Sequence, residues 1–404
     1  MRLIVVSPDI PYPANRGGRA DIWRRIQAFT ALGVEVFLIF YFDDRTREAP
    51  EAADMAEIRK HVRQVEYLPI DRSLGAALGR LAKTGSLPWH VACRTPNRAQ
   101  LDQLTAMAKS FNPDAIWCEG PWVAQVARPL RAALGKPMLY RSHNIEHVYM
   151  LGQSRVTRNP RKRLALRVSC IGLERYERAC LADAHRFFDI SSDDLNFWSR
   201  LGHNNGLWLP PLAEVGVGTY QPAPTDGDTR HDVVFLGNMT TPNNIQGVRW
   251  LVQDIVPAVL ASRPGTTFLI AGSNPGPDIH AMCAKHPEVT LLPNPVDAQS
   301  LLRHGRVLVN PVQTGSGVHL KSIDMLMTDA PIVSCVQGTR GLPDEVRAQF
   351  RIADDTASFA AAIVEELDRP SVDRTARQAG RTWFTLDGIR TVLEQEIAPA
   401  MNPT

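Results

Sequence analysis

Short apolar runs alternate with segments of helical periodicity along nearly the whole sequence. The first run, Leu3 to Val6, leads through a loop rich in Pro and Gly into a helix near Ala20 to Leu32, and a strand follows from Val34 to Phe42. Parallel strands need a crossover connection, most often a helix, so this alternation is typical of βαβ units. The pattern therefore predicts a doubly wound α/β fold built on a parallel sheet.

The same plan starts again in the second half of the chain. Val233 to Leu236 reads as a strand, a polar loop reaches Asn244, and a helix near Ile245 to Ser262 precedes a strand at Thr267 to Ala271. Further strands are predicted at Val289 to Leu292, Val307 to Asn310, Ile332 to Cys335 and Phe350 to Ala353. A chain of 404 residues is long enough for two or three domains. The restart predicts two Rossmann-like halves.

A segment rich in Gly, Pro and polar residues separates the two halves and shows no clear hydrophobic period. From it we predict a first domain over residues 1–205, a linker over 206–231 and a second domain over 232–380. Residues 381–404 are predicted to form a C-terminal helix, because their apolar residues recur at helical spacing.

The charge balance and the cysteines limit the classes of partner and compartment. The chain has 45 basic and 42 acidic residues, a net charge of +3, which is too weak for the footprint of a nucleic-acid-binding protein. Its six cysteines form no CxxC pair, which fits reduced thiols and a cytoplasmic protein. The longest apolar run, Val36 to Phe42, is far shorter than the ~20 residues that span a bilayer. Because the net charge is small, we expect any anionic partner to bind at a local basic site and not through the charge of the whole protein.

A glycine-rich turn carries the strongest local signal for chemistry. Gly315, Ser316 and Gly317 follow a predicted strand, and an apolar helical stretch with Lys321 and Asp324 comes next. If a helix begins near Ser316, both charged residues and Gly317 lie on one of its faces. Backbone N–H groups and a cation neutralise phosphate charge, and a carboxylate accepts hydrogen bonds from ribose hydroxyls. The turn is a candidate nucleotide diphosphate site; the alternative is a glycine turn followed by a surface ion pair.

In order and spacing, the motifs of the second half resemble the donor-binding domain of family 4 of the retaining GT-B glycosyltransferases. The resemblance extends over roughly 110 residues and runs through Val233 to Met239, Pro242 to Asn244, Trp250-Leu251, Ile255 to Pro257, Phe268 to Gly272, Gly315 to Gly317 with Lys321 and Asp324, Pro331 to Ser334, and Gly338 to Leu342. The first half resembles the acceptor domain of the same enzymes more loosely, through Pro11 to Gly18, His143 to Glu146, and Tyr176-Glu177 with Ile190-Ser191.

The resemblance implies a GT-B architecture, in which two Rossmann-like domains face a cleft and C-terminal helices cross back to the first domain. It also implies a retaining, metal-independent glycosyltransferase that uses no cofactor. The donor would be a nucleotide-diphosphate sugar bound by the second domain. The acceptor would be a hydroxyl group of a glycan or lipid-linked glycan, bound mainly by the first domain, in polysaccharide or glycoconjugate assembly.

The same resemblance implies roles for residues of the second domain. The family's donor motif is a Glu, seven residues and a second Glu; the second falls on Asp324, which would bind the ribose, and the first falls on Ser316. Many members carry an Arg/Lys pair after the first strand of this domain, where this chain has Asn238. Lys321 would then hold the diphosphate, together with the turn from Gly315 to Gly317.

In the first half, Gly17 and Gly18 match the family's paired glycines, where backbone approaches the diphosphate and the acceptor. The flanking Arg16 and Arg19 are candidate phosphate partners. His143 matches the histidine of the acceptor domain, and we expect it to hydrogen-bond a hydroxyl of the donor sugar near the reacting centre. The alternatives are an ordinary glycine turn, solvated arginines and a structural histidine.

The segment from His143 to His147 also matches H-x-x-E-H, an inverted zinc-peptidase signature. That signature belongs inside a helix and needs a third ligand. Here it directly follows a strand-like run, Pro137 to Tyr140. We therefore expect no metal at this site.

The segment from Arg155 to Arg186 is strongly basic. It holds nine basic residues and three acidic ones, a net charge of +6. The functional interpretation is attraction to an anionic membrane or to a lipid-diphosphate acceptor, and the alternative is a solvated helix face. No hydrophobic anchor is evident beside it in the sequence, so we expect only peripheral contact with the inner face of a membrane.

Two other functions fit the same architecture. A nucleotide-sugar epimerase shares the two Rossmann-like domains but changes the donor alone, whereas a transferase needs an acceptor. A non-catalytic subunit that binds a nucleotide sugar is the third hypothesis, because Ser316 replaces the first Glu of the donor motif.

Overall fold

Two parallel sheets, each flanked by helices, form the framework of the chain in the computed structural model. The structure describes residues 1–14, 17–43, 49–70, 87–157, 159–213, 231–315 and 317–398. The chain divides into a first unit, Met1–Pro210 with Asp387–Thr404, and a second unit, Pro211–Leu386. The predicted doubly wound α/β class is thereby confirmed.

The first unit is built on a seven-stranded sheet in the order β3-β2-β1-β4-β5-β6-β7. Its strands are β1 (Arg2–Ser7), β2 (Glu35–Phe42), β3 (Gln64–Pro69), β4 (Ala115–Glu119), β5 (Met138–Ser142), β6 (Arg186–Asp189) and β7 (Gly206–Trp208). Strands β1, β2 and β4 are buried almost throughout, because helices cover both faces of a parallel sheet. They are therefore continuous apolar runs in the sequence. The strand order reverses between β1 and β4, which is the topological switch point.

The helices of the first unit connect these strands. They are α1 (Gly17–Ala31), α2 (Ala52–His61), α3 (Trp89–Ala92), α4 (Arg98–Phe111), α5 (Ala124–Leu134), α6 (Glu146–Val156), α7 (Pro160–Ser169), α8 (Leu173–Asp183) and α9 (Ser192–Arg200). α4 begins with a capping box between Asn97 and Gln100 and ends at Asn112, which is left-handed with φ 50°. None of the described helices combines the length and the apolar character needed to cross a membrane.

The second unit has a six-stranded sheet in the order β10-β9-β8-β11-β12-β13. Its strands are β8 (His231–Leu236), β9 (Phe268–Gly272), β10 (Val289–Pro293), β11 (Gly305–Asn310), β12 (Ile332–Ser334) and β13 (Arg351–Ile352). Its helices are α10 (Pro242–Trp250), α11 (Val256–Ser262), α12 (Pro277–Cys283), α13 (Ala298–Arg303), α14 (Leu320–Leu326), α15 (Asp344–Arg347), α16 (Thr356–Asp368) and α17 (Arg374–Arg381). This strand order is the Rossmann order, and it reverses between β8 and β11.

The boundary between the units differs from the predicted one. The linker predicted over 206–231 starts too early, because β7 pairs with β6 and completes the first sheet. Residues 214–230 lie outside the described part of the chain. The helix predicted over 381–404 is interrupted, because Thr385 is extended with φ −119° and ψ 179°.

After this break, α18 (Leu386–Val392) and a π-helical turn (Leu393–Ile397) follow. The segment Asp387–Thr404 belongs to the first unit. Nε of Arg186 on β6 donates to Oε2 of Glu396 at 3.1 Å within that unit.

Candidate active site

The donor residues predicted from the sequence follow the two strands at the switch point of the second sheet. Asn238 follows β8, and Gly315, Gly317, Lys321 and Asp324 follow β11. In open α/β sheets, ligands bind in the crevice at the carboxyl ends of the strands where the strand order reverses. The predicted residues therefore lie at the position where this fold binds ligands.

Glycines bring backbone segments close together at this edge. A Cβ on Gly272 would lie 1.7 Å from the carbonyl oxygen of Gly237, and a Cβ on Gly247 would lie 3.0 Å from that of Pro311. The ends of β8 and β9 therefore touch, and α10 packs directly on the segment after β11. A side chain on Gly272 would therefore push the ends of these strands apart, and a Cβ on Gly237 would lie 2.9 Å from Cζ of Phe235.

Lys321 is the cationic group at this edge. Its Nζ donates a short hydrogen bond to Oδ1 of Asn244 on α10 and lies 4.6 Å from the ring centroid of Phe235 on β8. Nδ2 of Asn244 donates to the carbonyl oxygen of Asn238 at 2.8 Å. Burial lowers the pKa of Lys321 to about 7, because low-dielectric surroundings disfavour the charged form. Among the described residues, no carboxylate forms an ion pair with this ammonium.

A buried hydrogen-bond chain fixes α14, which carries the two charged residues predicted to bind the donor. Nδ2 of Asn310 at the end of β11 donates to Oγ of Ser322 at 2.9 Å, and this hydroxyl donates to the carbonyl oxygen of Gly338 at 2.6 Å. Asp324 lies one helical turn after Lys321 and is 5% exposed. These hydrogen bonds therefore set the positions of Lys321 and Asp324 relative to the sheet.

The glycine turn does not begin the helix, contrary to the prediction. α14 starts at Leu320, so Gly317 shares no helix face with Lys321, and the turn offers no helix N-terminus. Gly317 has a left-handed φ of 74° and Gly315 a φ of 143°, which interrupt a helical path. Ser316 lies outside the described residues.

His319 is a polar neighbour of Lys321 that the sequence analysis missed. It is the residue directly before α14, and its Nε2 is buried without a hydrogen-bond partner among the described residues. Burial and the charge of Lys321 lower the pKa of His319 to about 4, so the ring is neutral near pH 7. A neutral ring nitrogen beside the glycine turn can bind one further polar group.

In the first unit, His143 lies directly after β5 and contacts two carboxylates. Its Nε2 is 2.7 Å from Oε2 of Glu119, and its Nδ1 is 3.5 Å from Oδ2 of Asp21. Nε1 of Trp117 donates to the other oxygen of Glu119 at 2.7 Å. The side chain of His143 is 17% exposed. Its ring is thus oriented by Glu119 and Asp21 and keeps partial access to solvent.

Asp21 on α1 joins this histidine to two buried arginines. Nη2 of Arg141 donates to Oδ2 of Asp21 at 3.1 Å, and Nη2 of Arg25 donates to Oδ1 at 3.0 Å. Burial alone would raise the pKa of Asp21, but the charges of Arg141, Arg25 and His143 hold it well below its usual range. Burial and the charge of Arg25 lower the pKa of Arg141 to about 10. Asp21 is therefore an anion that offsets several buried cations.

The H-x-x-E-H match is divided between a loop and a helix. His143 precedes α6, which begins at Glu146. Glu177 accepts the backbone N–H groups of Glu146 at 2.8 Å and of His147 at 3.0 Å, and its Oε2 lies 2.6 Å from Nδ1 of His147. The two histidines therefore contact different carboxylates. The described residues include no group of three or more His, Cys, Asp or Glu side chains arranged to hold a metal ion.

Gly17 and Gly18 are the first two residues of α1 and do not lie in a loop as predicted. A Cβ on either would meet no atom within 4 Å, so packing within the described residues does not require glycine there. Arg19 pairs with Asp9, with 2.7 Å between Nη2 and Oδ2. Arg16 lies outside the described residues.

A cavity of about 520 Å³ lies beside α6 in the first unit. It is lined by aromatic, apolar and charged side chains, which include Trp122, Tyr149, Met150, Glu146, Arg94 and Lys162. Burial and the neighbouring Glu177 raise the pKa of Glu146 to about 7. This mixture of aromatic faces and hydrogen-bonding groups suits a polar organic ligand with apolar faces.

Residues 230–369 match the sequence profile of the family described as "Glycosyl transferases group 1". The chain is a glycosyltransferase. The match covers the second sheet, the glycine turn, Lys321 and Asp324. The predicted enzyme class is therefore confirmed, and the donor-binding residues predicted in the second half lie within the matched segment, whereas Gly17 and Gly18 lie outside it.

Relatives of the glycosyltransferase cover its whole length. It is 28% identical over 373 residues to a 44.6 kDa protein of Klebsiella pneumoniae described as uncharacterized and in the cps region, with 90% of each chain covered. Its fold is similar to that of HepE of Anabaena, solved in complex with UDP, with a TM-score of 0.63, 11% identity, and coverage of 98% and 100%. For sucrose-phosphate synthase from Thermosynechococcus elongatus, the TM-score is 0.61, with 16% identity and 98% of each chain covered. These likenesses confirm the GT-B fold class.

Several residues that contact the predicted donor residues in the second unit, or His143 in the first, were not predicted from the sequence. Asn244 stands within a motif that carried the resemblance, yet no role was assigned to it. Glu119 had a readable signal, because it is a charged residue directly after a buried apolar run. The sequence carried no signal for the pair of Asp21 and Arg141, since these residues meet only through the packing of α1 on the first sheet.

Proposed function

We propose that this glycosyltransferase moves a sugar from a nucleotide-diphosphate sugar, held at the switch point of the second sheet, to a hydroxyl acceptor bound mainly by the first unit. The observation that carries the donor site is the environment of Lys321. This ammonium is partly buried between neutral groups, Asn244 and Phe235, and no described carboxylate offsets its charge. A diphosphate would supply that counter-charge.

The other donor residues supply contacts of different chemistry. Asp324, one turn along α14, would accept hydrogen bonds from the two ribose hydroxyls. Gly315 and Gly317 carry no side chains, so a phosphate can approach the backbone of these two residues closely. Nδ2 of Asn238 would donate to the diphosphate, because its Oδ1 already accepts the N–H and the hydroxyl of Thr240 at 2.9 and 2.7 Å. Ser316, which lies outside the described residues, stands in the sequence where the family's donor motif has its first Glu.

UDP is the nucleotide that we assign first, because HepE was solved in complex with UDP and with UDP-glucose. The donor site of this chain, with Lys321 for the diphosphate and Asp324 for the ribose, is compatible with that choice. Neither Lys321 nor Asp324 would contact the base, so the panel of nucleotide sugars described below identifies the base.

For the acceptor we propose a glycan or lipid-linked glycan in polysaccharide assembly. The cavity beside α6 supports this assignment, because Trp122 and Tyr149 offer aromatic faces for a sugar ring and Lys162 and Arg94 offer cations for a phosphate. The place of the Klebsiella pneumoniae relative in a cps region adds support for polysaccharide assembly.

The proposed reaction retains the anomeric configuration without an enzyme nucleophile. The acceptor oxygen bonds to the anomeric carbon while the bond from that carbon to the phosphate oxygen breaks. The acceptor proton passes to the departing diphosphate, so the products are the glycosylated acceptor and the nucleoside diphosphate. Lys321 would stabilise the charge that grows on the leaving oxygen, and His143 would hydrogen-bond a hydroxyl of the sugar.

The test is a panel of nucleotide sugars followed by transfer assays. A ligand that binds only the folded state raises thermal stability by RT ln(1 + [L]/Kd), so UDP-sugars should raise the melting temperature. We then expect nucleoside diphosphate to be released only when a glycan or lipid-linked acceptor is present. Conversion of the donor sugar without an acceptor would indicate an epimerase, and binding without turnover would indicate a subunit that only binds the nucleotide sugar.

Activity should survive chelation, because Lys321 is proposed to supply the charge stabilisation that a divalent ion could otherwise provide. Transfer measured with and without EDTA should give equal rates. Complete loss of activity in EDTA, restored by magnesium or zinc, would overturn the metal-independent mechanism.

Asp324→Asn should weaken donor binding by about 1–3 kcal/mol, or about 5- to 150-fold in Kd, because hydrogen bonds to a charged group are lost. Titration calorimetry with UDP-glucose measures this change. Asp344→Asn is the matched control, since Asp344 is an exposed carboxylate of the same unit. Equal donor affinity of wild type and Asp324→Asn would remove Asp324 from the site.

Donor affinity should fall as the pH rises above about 7. The charged form of Lys321 binds the diphosphate, and this form is lost in the free enzyme as the pH passes the pKa of about 7. Linkage then predicts a rise in Kd that approaches about tenfold per pH unit above that value. UDP-glucose is a suitable probe, and Lys321→Arg should give a flat profile because arginine stays charged. A flat profile for the wild type would contradict the assignment.

A further inference from the structure

The helix α7 exposes an apolar stripe on the side that faces away from the rest of the first unit. Leu164 is 64% exposed, Val168 is 47% exposed, and Ile171, just after the helix, is 64% exposed. Ser169 is the only buried residue of α7 and marks the opposite, inward side. The sequence analysis expected no hydrophobic anchor in this basic segment, and the structure contradicts that expectation. The tertiary structure turns these apolar side chains outward.

Arginines border this stripe. At 100° per residue, Leu164 and Val168 lie 40° apart, Arg161 lies 20° beyond Val168, and Arg163 and Arg167 flank the other side. Each of these three arginines is exposed. Within the described residues, none of them forms an ion pair with a carboxylate. Their charge is therefore available to an external anionic partner. We call Leu164, Val168 and Ile171, with Arg161, Arg163 and Arg167, the α7 face.

We propose that the α7 face docks on the surface of an anionic lipid bilayer. An apolar stripe bordered by cations matches the acyl boundary and the headgroups of such a surface, where the stripe is buried and the arginines meet lipid phosphates. A second copy of this chain fits less well, because two α7 faces would bring six arginines together. The proposal goes beyond the transfer reaction and stands whether or not the proposed donor and acceptor are correct.

The position of α7 gives this docking a consequence for the acceptor. Lys162 and Leu166, on the inward side of the same helix, line the cavity beside α6. Docking would therefore hold the cavity close to the membrane surface. This step rests on the proposed function, since it matters only if the acceptor is lipid-linked.

Co-sedimentation with vesicles tests the docking. The full chain is incubated with vesicles of phosphatidylcholine, with and without phosphatidylglycerol, at low and high salt. We expect binding only to the anionic vesicles and weaker binding at high salt, because screening shortens the range of the attraction. No binding to anionic vesicles at low salt, or equal binding to neutral vesicles, would overturn the proposal.

Two triple variants separate the contributions of the α7 face. Arg161→Ser, Arg163→Ser and Arg167→Ser together should weaken partitioning about 10²-fold, at about fivefold for each cation near an anionic surface. Leu164→Ser, Val168→Ser and Ile171→Ser together should weaken it about tenfold or more, through loss of apolar burial. The matched control removes three exposed arginines elsewhere, Arg98, Arg351 and Arg390.

If the control weakens binding as much as the arginine variant, the attraction is non-specific and the proposal fails. Sedimentation velocity without vesicles shows whether the wild type self-associates; a dimer that both α7 variants dissociate would assign the face to a second copy instead. Thermal shift with UDP-glucose is measured on every variant and should be unchanged. Loss of that shift in the wild type would count against the proposed donor alone and not against docking.

Discussion

We expect Lys321→Ala to lower the turnover number by about 10²-fold or more while the protein stays folded. The ammonium of Lys321 would stabilise the negative charge that develops on the departing diphosphate, and removal of one such group from a preorganised site costs about this much. The loss should appear in kcat, because the interaction strengthens as the leaving oxygen gains charge, and also as weaker donor binding, because the charged form of Lys321 binds the diphosphate. Steady-state rates of nucleoside diphosphate release measure it.

Lys285→Ala is the matched control for this substitution. Lys285 is an exposed lysine of the same unit with no carboxylate partner in the described part of the chain. Its replacement should leave both kcat and the melting temperature unchanged. If Lys321→Ala unfolded at the same temperature as the wild type and kept full turnover, Lys321 would be a surface group without a role in transfer.

Asp21→Asn should destabilise the first unit by about 3–5 kcal/mol. The substitution keeps the shape of the side chain but removes the negative charge that pairs with Arg25 and Arg141. Removal of one partner from a buried ion pair leaves the other charge uncompensated, which costs about this amount. Equilibrium unfolding in urea, followed by a probe of the first unit, measures the difference.

The control for Asp21→Asn is Asp102→Asn, because Asp102 forms an exposed helical pair with Arg98 and should contribute less than about 1 kcal/mol. The cost of Asp21→Asn should also depend on pH. The folded pKa of Asp21 lies below its unfolded value, so its stabilisation is present above about pH 4 and is lost as the pH falls toward the folded pKa. Equal stability of wild type and Asp21→Asn at pH 7 would contradict the network.

The pattern of apolar runs was sufficient to predict the six strands of the second half. Each strand predicted in the second half lies within two residues of its observed bounds, and the central strands β8, β9 and β11 are mostly buried and therefore continuously apolar. Motif spacing also predicted that Lys321 and Asp324 lie on a helix after a strand, and the structure has both on α14, which follows β11 at the switch point. These features depend on local sequence and on the general geometry of parallel sheets.

The tertiary structure alone decided which polar groups meet. Lys321 contacts Asn244 across 77 residues, and Arg141 contacts Asp21 across 120 residues; neither pairing has a local signal. The pairing of β7 with β6 places the end of the first unit beyond the predicted boundary. The sequence did not reveal β7, because a three-residue strand has too few side chains to show a hydrophobic period. α14 begins after Gly317 and not near Ser316 as predicted, because a residue in the left-handed conformation cannot continue a right-handed helix. The apolar stripe of α7 became visible only when packing showed which side of the helix faces outward.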